Sequence, residues 1–315
     1  MTPASDPPAA DDATWIQRSE RSNLAILRVM VWISLRLGRP AGRLVLYGIA
    51  AYFLTFAPAA RRASRVYLRR ALGREPTLAD LFRHVLSFAS TIHDRVYLLN
   101  DRFDLFDIEI FGEEAIRSAM AGGQGVLLIG AHLGSFEVMR ALGRRHTGAG
   151  ISMLMYEENA RKINATLAAI NPAAVQDIIP LGRMESMLLA KERIEAGHLV
   201  GMLADRGLGK DPTRHCDFLG APAPLPLGPF RVAAMLRRPV LFMTGLYLGG
   251  NRYRIHFEPL ADFSTVERGN RDAAITAAQQ AYAARLAHYC RLVPYNWFNF
   301  FDFWKTASSA ERPRP

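Results

Sequence analysis

From about residue 106 onward, short apolar runs alternate with stretches whose apolar residues recur at helical spacing. The short runs, bounded by turn-forming residues, predict β-strands at 106–111, 125–130, 151–156, 175–180, 199–204, 240–247 and 252–257. The stretches between them predict helices at 113–120, 135–143, 158–170, 184–196, 230–236 and 271–292. This alternation indicates an α/β fold with a mixed, partly parallel sheet flanked by helices.

The first hundred residues have a different pattern. Apolar residues at helical spacing, for example in 24–27 and 81–88, predict several helices over residues 15–100. Residues 1–14 are rich in Pro, Ala and Asp and predict a disordered tail, as do residues 306–315. The α/β domain is therefore expected over residues 101–305.

Charge separates this N-terminal region further from the rest of the 315-residue chain, whose formal net charge is +10. Between Arg18 and Arg74 there are twelve Arg and one carboxylate, Glu20, a net charge of +11. Because these arginines are interleaved with apolar runs, an anionic membrane surface is favoured over nucleic acid as their partner. Residues 15–100 are accordingly predicted to be a membrane-docking region.

Residues 44–60 are seventeen uncharged positions in a row. As a helix they would measure about 25 Å, less than the ~30 Å of a hydrocarbon core. Gly48 and Pro58 weaken a span further, and Arg residues flank both ends. An interfacial or re-entrant helix is favoured over a membrane span, and a helical layer buried against the main domain is the third possibility.

The sequence GAHLGSFE, residues 130–137, directly follows a predicted strand. In α/β sheets ligands bind beyond the carboxyl ends of strands, where His132 would lie. There His132 can act as a general base, with Glu137 in the next helix accepting a hydrogen bond from the imidazole. The amides of Gly134 and Ser135, at the start of that helix, are predicted to stabilise an oxyanion.

The segment 205–229 is rich in Pro and Gly and predicts a long functional loop. Arg206 and Arg231 can bind a phosphate there, or pair with Asp205 or Asp217. The chain has two cysteines, Cys216 and Cys290, in no metal-binding or disulfide pattern, which suits a reducing compartment. A structural role is favoured for the cluster of His84, His93, Asp94 and Arg95.

The segment 132–137 resembles the H-x4-D/E motif of the lysophospholipid acyltransferase-like superfamily, in the form found in lipid A late acyltransferases, the lauroyl and myristoyl transferases. Segments 203–207, 217–223 and 226–233 are similar to that family's second block, and the resemblance covers roughly residues 15–305. Arg206 stands where the family commonly has Gln. The aromatic run 294–304 replaces the family's basic ending and is similar to acyltransferase-like proteins of polyene and fatty-acid-like pathways.

The resemblance implies transfer of a fatty acyl group from acyl carrier protein, or coenzyme A, to a hydroxyl or amine of a membrane lipid or lipid A-like glycolipid. It implies His132 as the base and Glu137 as the acid that orients it, with Asp205, Arg206, Gly228 and Arg231 near the substrate. No metal, cofactor or nucleic acid is expected. The expected location is the cytoplasmic face of the inner membrane, peripherally or through one short N-terminal helix.

Three alternatives remain open from the sequence. One is an acyltransferase of a polyene or fatty-acid-like pathway, and another is a catalytically inactive membrane scaffold of the same fold. The third is an esterase with Ser135 as the nucleophile, which is weaker because the G-x-S-x-G sequence is absent around Ser135.

Overall fold

A seven-stranded sheet organises the protein in the computed structural model, which describes residues 10–139, 150–156, 166–168, 170–171, 177–181, 184–207 and 211–304. The strands in chain order are β1 Asp107–Phe111, β2 Val126–Gly130, β3 Ile151–Tyr156, β4 Asp177–Leu181, β5 Leu199–Leu203, β6 Thr213–Phe218, β7 Ala221–Pro226, β8 Pro239–Tyr247 and β9 Arg252–Asp262. Seven of them form the sheet in the order β1-β9-β8-β2-β5-β3-β4. Only the β8–β9 pairing in this sheet is antiparallel. The predicted mixed α/β fold is confirmed.

Helices cover both faces of the sheet. They are α1 Ala10–Phe56, α2 Pro58–Leu72, α3 Leu78–Leu99, α4 Glu113–Ala119, α5 Met184–Glu195, α6 Gly228–Leu236 and α7 Arg271–Leu292. The central strand β2 is buried along its whole length and its side chains alternate between two hydrophobic clusters. Leu127 and Ile129 pack with residues of α2, α5, α6 and α7, while Val126 and Leu128 pack with residues of α1, α3 and α4. Such two-sided burial explains the continuous apolar run in the sequence.

Two segments differ from the sequence prediction. The predicted loop 205–229 contains an antiparallel hairpin of β6 and β7, paired from Thr213↔Pro226 to Phe218↔Ala221. Instead of a helix starting at residue 135, the chain forms a short 3-10 turn, Glu137–Met139. The rest of that predicted helix, 140–143, and most of the one predicted at 158–170 lie outside the described residues.

At the N-terminus, α1 begins at Ala10, so residues 10–14 of the predicted tail are helical. Residues 1–9 and 306–315, the remainder of the two predicted tails, lie outside the described residues. Helix α1 is broken at Gly38, whose backbone has φ +80°, and resumes with Pro40. A proline at this point is tolerated because the first turn of a helix does not need its N–H.

A buried ion pair fixes the N-terminal helices to the sheet. Arg39 of α1 donates two hydrogen bonds to the carboxylate of Asp94 in α3, at 2.7 and 2.9 Å. The Tyr253 hydroxyl of β9 donates to the same carboxylate at 2.8 Å. Because Asp94 is fully buried, loss of Arg39 would leave an unpaired charge in the interior.

No single helix among the described residues is both long and apolar enough to cross a bilayer. By length and composition alone, the bent pair Ser34–Phe56 and Pro58–Leu72, which meet at 96°, satisfies that requirement jointly.

The C-terminal segment, residues 294–304, packs against α2 and α3 through a buried histidine. The Nε2 atom of His84 lies 2.9 Å from the Trp297 carbonyl oxygen, and Nδ1 lies 2.7 Å from Ser64 Oγ. Because a carbonyl only accepts, Nε2 carries the proton and Nδ1 accepts from the serine hydroxyl. Burial lowers the pKa of His84 to about 4, although the Trp297 carbonyl opposes the shift.

We expect the stability of the protein to fall between about pH 6.5 and pH 4. In this window the unfolded chain protonates His84 but the folded protein does not, at a cost of the order of 3 kcal/mol. His84→Gln should be less stable at pH 7 and should lose most of this pH dependence in thermal melting. The exposed His288→Gln is the matched control, and an unchanged pH dependence in His84→Gln would contradict the assignment.

Candidate active site

The turn after β2 is built on a close contact with β8. Gly134 has φ +75°, and a Cβ atom there would lie 2.0 Å from the carbonyl oxygen of Gly245. Only glycine fits, because the left-handed backbone and the missing side chain are both needed. The Ser135 N–H then donates to the same Gly245 carbonyl at 2.8 Å. This turn places His132 just beyond the carboxyl end of β2, as predicted.

The imidazole of His132 is held by a carboxylate from the neighbouring strand. Nδ1 of His132 lies 2.8 Å from Oδ1 of Asp205, and the His132 backbone N–H donates to the same carboxylate at 3.1 Å. Strands β2 and β5 are parallel neighbours with Gly130 opposite Leu203, so the residues two positions beyond each strand meet. Because the carboxylate only accepts, Nδ1 carries the proton and Nε2 is the basic nitrogen.

Asp205 itself is fully buried and is fixed by the C-terminal segment. Its Oδ2 atom accepts from Trp297 Nε1 at 3.0 Å and from Asn299 Nδ2 at 2.9 Å. Burial acts to raise the pKa of Asp205, but His132, Arg206 and Asn299 together hold it well below its ordinary value. The carboxyl group is therefore ionised throughout the neutral range.

Glu137 does not make the predicted contact with the His132 imidazole, whose Nδ1 atom is bound to Asp205 instead. The Oε1 atom of Glu137 lies 2.7 Å from Nε of Arg95 in α3, and Oε2 accepts from the Ser135 hydroxyl at 3.1 Å. The prediction placed Glu137 one and a half turns into a following helix, whereas the chain turns at Gly134 and forms only a 3-10 turn from Glu137. Both side chains nevertheless line the same cavity.

The predicted oxyanion amides are also engaged elsewhere. The Gly134 N–H donates to the Asn296 carbonyl at 2.8 Å, and the Ser135 N–H is bound to Gly245. These bonds form because the segment 133–134 lies between the C-terminal segment and β8, with bridges to Trp297 and Gly245. Neither amide is left to stabilise an oxyanion.

Of the residues predicted near the substrate, only Arg206 joins Gly134 and Ser135 in lining the cavity around His132. Its Nη2 atom donates to the Phe298 carbonyl at 2.8 Å, and its guanidinium lies 5.6 Å from the centre of the Phe301 ring. Burial lowers the pKa of Arg206, partly offset by Asp205. Gly228 and Arg231 lie on α6, outside this lining, and Arg231 is exposed.

The cavity around His132 has a volume of about 420 Å³ and adjoins an apolar one. The second cavity, of about 280 Å³, lies between α1, α2 and α3 and is lined almost entirely by hydrocarbon groups. Phe88, Ile92 and Phe300 line both cavities. The polar cavity around His132 therefore lies directly beside an apolar one. Among the described residues, no group of three or more His, Cys, Asp or Glu side chains is arranged to hold a metal ion.

A model of the bacterial lipid A biosynthesis acyltransferase family matches residues 17–306. The chain belongs to this family. Membership implies acyl transfer to a lipid, and it confirms the resemblance found in the sequence. A search of curated proteins finds no match.

Sequence reasoning missed three residues around His132, namely Arg95, Trp297 and Asn299, and it named Asp205 without its pairing with His132. Asp205 directly follows a predicted strand, and His132 follows another after one intervening residue. This shared position at strand ends was a usable signal that the two residues could meet. The roles of Trp297 and Asn299 depend on the C-terminal segment reaching β2, for which the sequence gives no local sign.

We expect Gly134→Ala to lower the unfolding free energy by about 3 kcal/mol or more and to displace His132, because strain and steric overlap act together. Gly220→Ala is the matched control: its φ is +77° but a Cβ atom there meets nothing within 4 Å. It should cost only about 1–2 kcal/mol. Equal losses in urea unfolding would show that the contact with Gly245 is unimportant.

Proposed function

We propose that this protein transfers a fatty acyl group from acyl carrier protein to a hydroxyl or amine of a membrane lipid, with His132 as general base. The observation that carries the proposal is the His132–Asp205 pair at the end of β2, in a cavity that adjoins an apolar one. The family supports acyl transfer to a lipid. What we add to it is acyl carrier protein as the donor, a hydroxyl or amine as the acceptor group, and His132 as the general base.

The chemistry follows from the tautomer of His132. With Nδ1–H held by Asp205, Nε2 can take the proton from the acceptor as its oxygen or nitrogen attacks the thioester carbonyl. The carbon–sulfur bond then breaks, and the thiolate leaves with the proton returned from Nε2. No residue of the protein needs to become acylated, so Ser135 is not required as a nucleophile; its hydroxyl is buried and bound to Glu137.

Positive charge near the reacting carbonyl comes from side chains rather than amides. Arg95 and Arg206 both line the cavity, and Arg206 is desolvated. A guanidinium in such a setting can stabilise the oxyanion that forms during attack. This replaces the role that the sequence suggested for the amides of Gly134 and Ser135.

The apolar cavity suits the hydrocarbon chain of the acyl group. Its lining side chains include Leu46 and Phe53 of α1, Leu81 and Val85 of α3, and Phe300. Burial of a chain contributes about 0.8 kcal/mol per methylene group, so even part of a fatty chain would bind firmly there. Because Phe88 and Ile92 border both cavities, the chain can lie in one while its thioester reaches His132 in the other.

Docking to an anionic membrane is supported by the exposed surface of α1 and α2. Leu44 and Phe56 are 75% and 68% exposed, and Arg62 and Arg65 are exposed on the helix that follows. Large exposed apolar side chains next to arginines suit the boundary between headgroups and acyl chains. We place this surface on the cytoplasmic face of the inner membrane, where an acidic carrier protein can also approach the basic chain.

We expect His132→Ala to reduce acyl transfer by about 10²–10⁴-fold while the protein still folds, because proton abstraction is lost. The assay incubates the purified protein with loaded acyl carrier protein and a total lipid extract, and mass spectrometry detects the acylated lipid. His215→Ala, in β6, is the control histidine. Full activity in His132→Ala would refute the general-base role, and equal or better transfer from acyl-coenzyme A would refute the choice of donor.

A second prediction concerns the docking surface. Leu44→Asp and Phe56→Asp should each weaken binding to phosphatidylglycerol-containing vesicles, because a charged side chain replaces an apolar one that inserts into the membrane. Arg62→Gln combined with Arg65→Gln should weaken it by about tenfold or more at low salt, at roughly 1 kcal/mol per arginine. Leu292→Asp, at an exposed leucine of α7, is the control in vesicle co-sedimentation. Undiminished binding by the α1 variants would place the membrane contact elsewhere.

A further inference from the structure

Two carboxylates serve the His132 cavity, and their contacts differ. Asp205 is fully buried and touches both the backbone N–H and Nδ1 of His132. Glu137 is also buried but lines the cavity, and its two oxygens are directed to Arg95 and Ser135. Glu137, the acid of the H-x4-E motif, is thus not the carboxylate bound to Nδ1 of His132.

We propose that Asp205 is the positioning residue for His132, and that Glu137 is instead the positioning residue for Arg95. The division of labour rests on the proposed function, because it assigns roles within the same acyl-transfer site. It departs from the role that the H-x4-E motif suggested, in which Glu137 orients the base.

The geometry around Asp205 supports the first half. Trp297 Nε1 and Asn299 Nδ2 both donate to Oδ2, which leaves Oδ1 for the imidazole. A carboxylate fixed in this way holds one ring nitrogen protonated and keeps the ring from rotating. Asp205 does not line the cavity, so it acts on the substrate only through His132.

The geometry around Glu137 supports the second half. Arg95 reaches the cavity from α3, the helix that also lines the apolar cavity, and 26% of its side chain is exposed. The Glu137 carboxylate, 2.7 Å away, fixes where this guanidinium lies relative to His132. Losing one partner of a charged contact of this kind typically costs 10- to 100-fold in the affected step.

The first measurement follows the His132 tautomer by ¹⁵N NMR on histidine-labelled protein, and it needs no substrate. Asp205→Asn should change the populations of the two neutral tautomers of His132, whereas Glu137→Gln should leave them as in the wild type. A changed tautomer in Glu137→Gln would overturn the proposal. If Asp205→Asn does not fold, Glu137→Gln alone still decides the question.

The second measurement is kinetic. Asp205→Asn should lower kcat by about 10²–10⁴-fold with little change in KM, and should add nothing in a His132→Ala background. Glu137→Gln and Arg95→Gln should each lower kcat/KM by about 10- to 100-fold, and the double variant should be no worse than the poorer single one. Asp104→Asn, which breaks the exposed contact with Arg102, is the matched control.

The outcomes separate this inference from the proposed function. If the wild type transfers no acyl group from any donor, the proposed function fails while the NMR result still tests the role of Asp205. If transfer occurs but Glu137→Gln matches Asp205→Asn in kcat, or the losses in Glu137→Gln and Arg95→Gln multiply, the division of labour fails alone.

Discussion

The buried carboxylate of Asp205 is the interaction on which the site depends. Four N–H groups converge on it: the His132 amide, His132 Nδ1, Trp297 Nε1 and Asn299 Nδ2. A buried charge is tolerated only when such donors surround it, and each donor would be left unpaired without the charge. The end of β2, the end of β5 and the C-terminal segment therefore come together as a unit. The placement of His132 and the packing of the C-terminal segment, residues 294–304, are therefore one constraint.

Much of the fold was predictable because the sheet is buried on both faces. Short apolar runs separated by helical periodicity located all seven strands of the main sheet, and in central strands such as β2 a continuous apolar run is what two-sided burial requires. The β6–β7 hairpin was not predicted, because Pro222, Pro224 and Pro226 suggested a loop. They alternate along β7, the partner of β6 in a two-stranded ribbon, so none interrupts a larger sheet. Proline is compatible with an edge strand when its nitrogen faces away from the partner.

The site was predictable only in part. The strand before His132 and the glycines after it correctly located the histidine at the sheet's carboxyl edge. The predicted partner, Glu137, is only five residues from His132 in sequence, but it would reach the imidazole only if a helix followed β2, and none begins there. In the structure the partner of His132 is Asp205, which is 73 residues away in sequence but lies at the end of the adjacent strand β5. Strand order, not local spacing, decides which polar residues meet, and nothing in a single sequence states that β2 and β5 are neighbours.

The N-terminal helices were predicted as a docking region, yet they are also part of the folded core and of the site. Tyr67 and Leu68 of α2 are fully buried, and Arg39 of α1 neutralises Asp94. Helix α3 borders both cavities and carries Arg95. Deleting this region would expose core surface and destroy the apolar cavity. The solubility of such a truncated protein would therefore not report on membrane docking alone. Surface substitutions are the sharper probe, because they alter the outer face of α1 and leave the inner face, which packs against α3, unchanged.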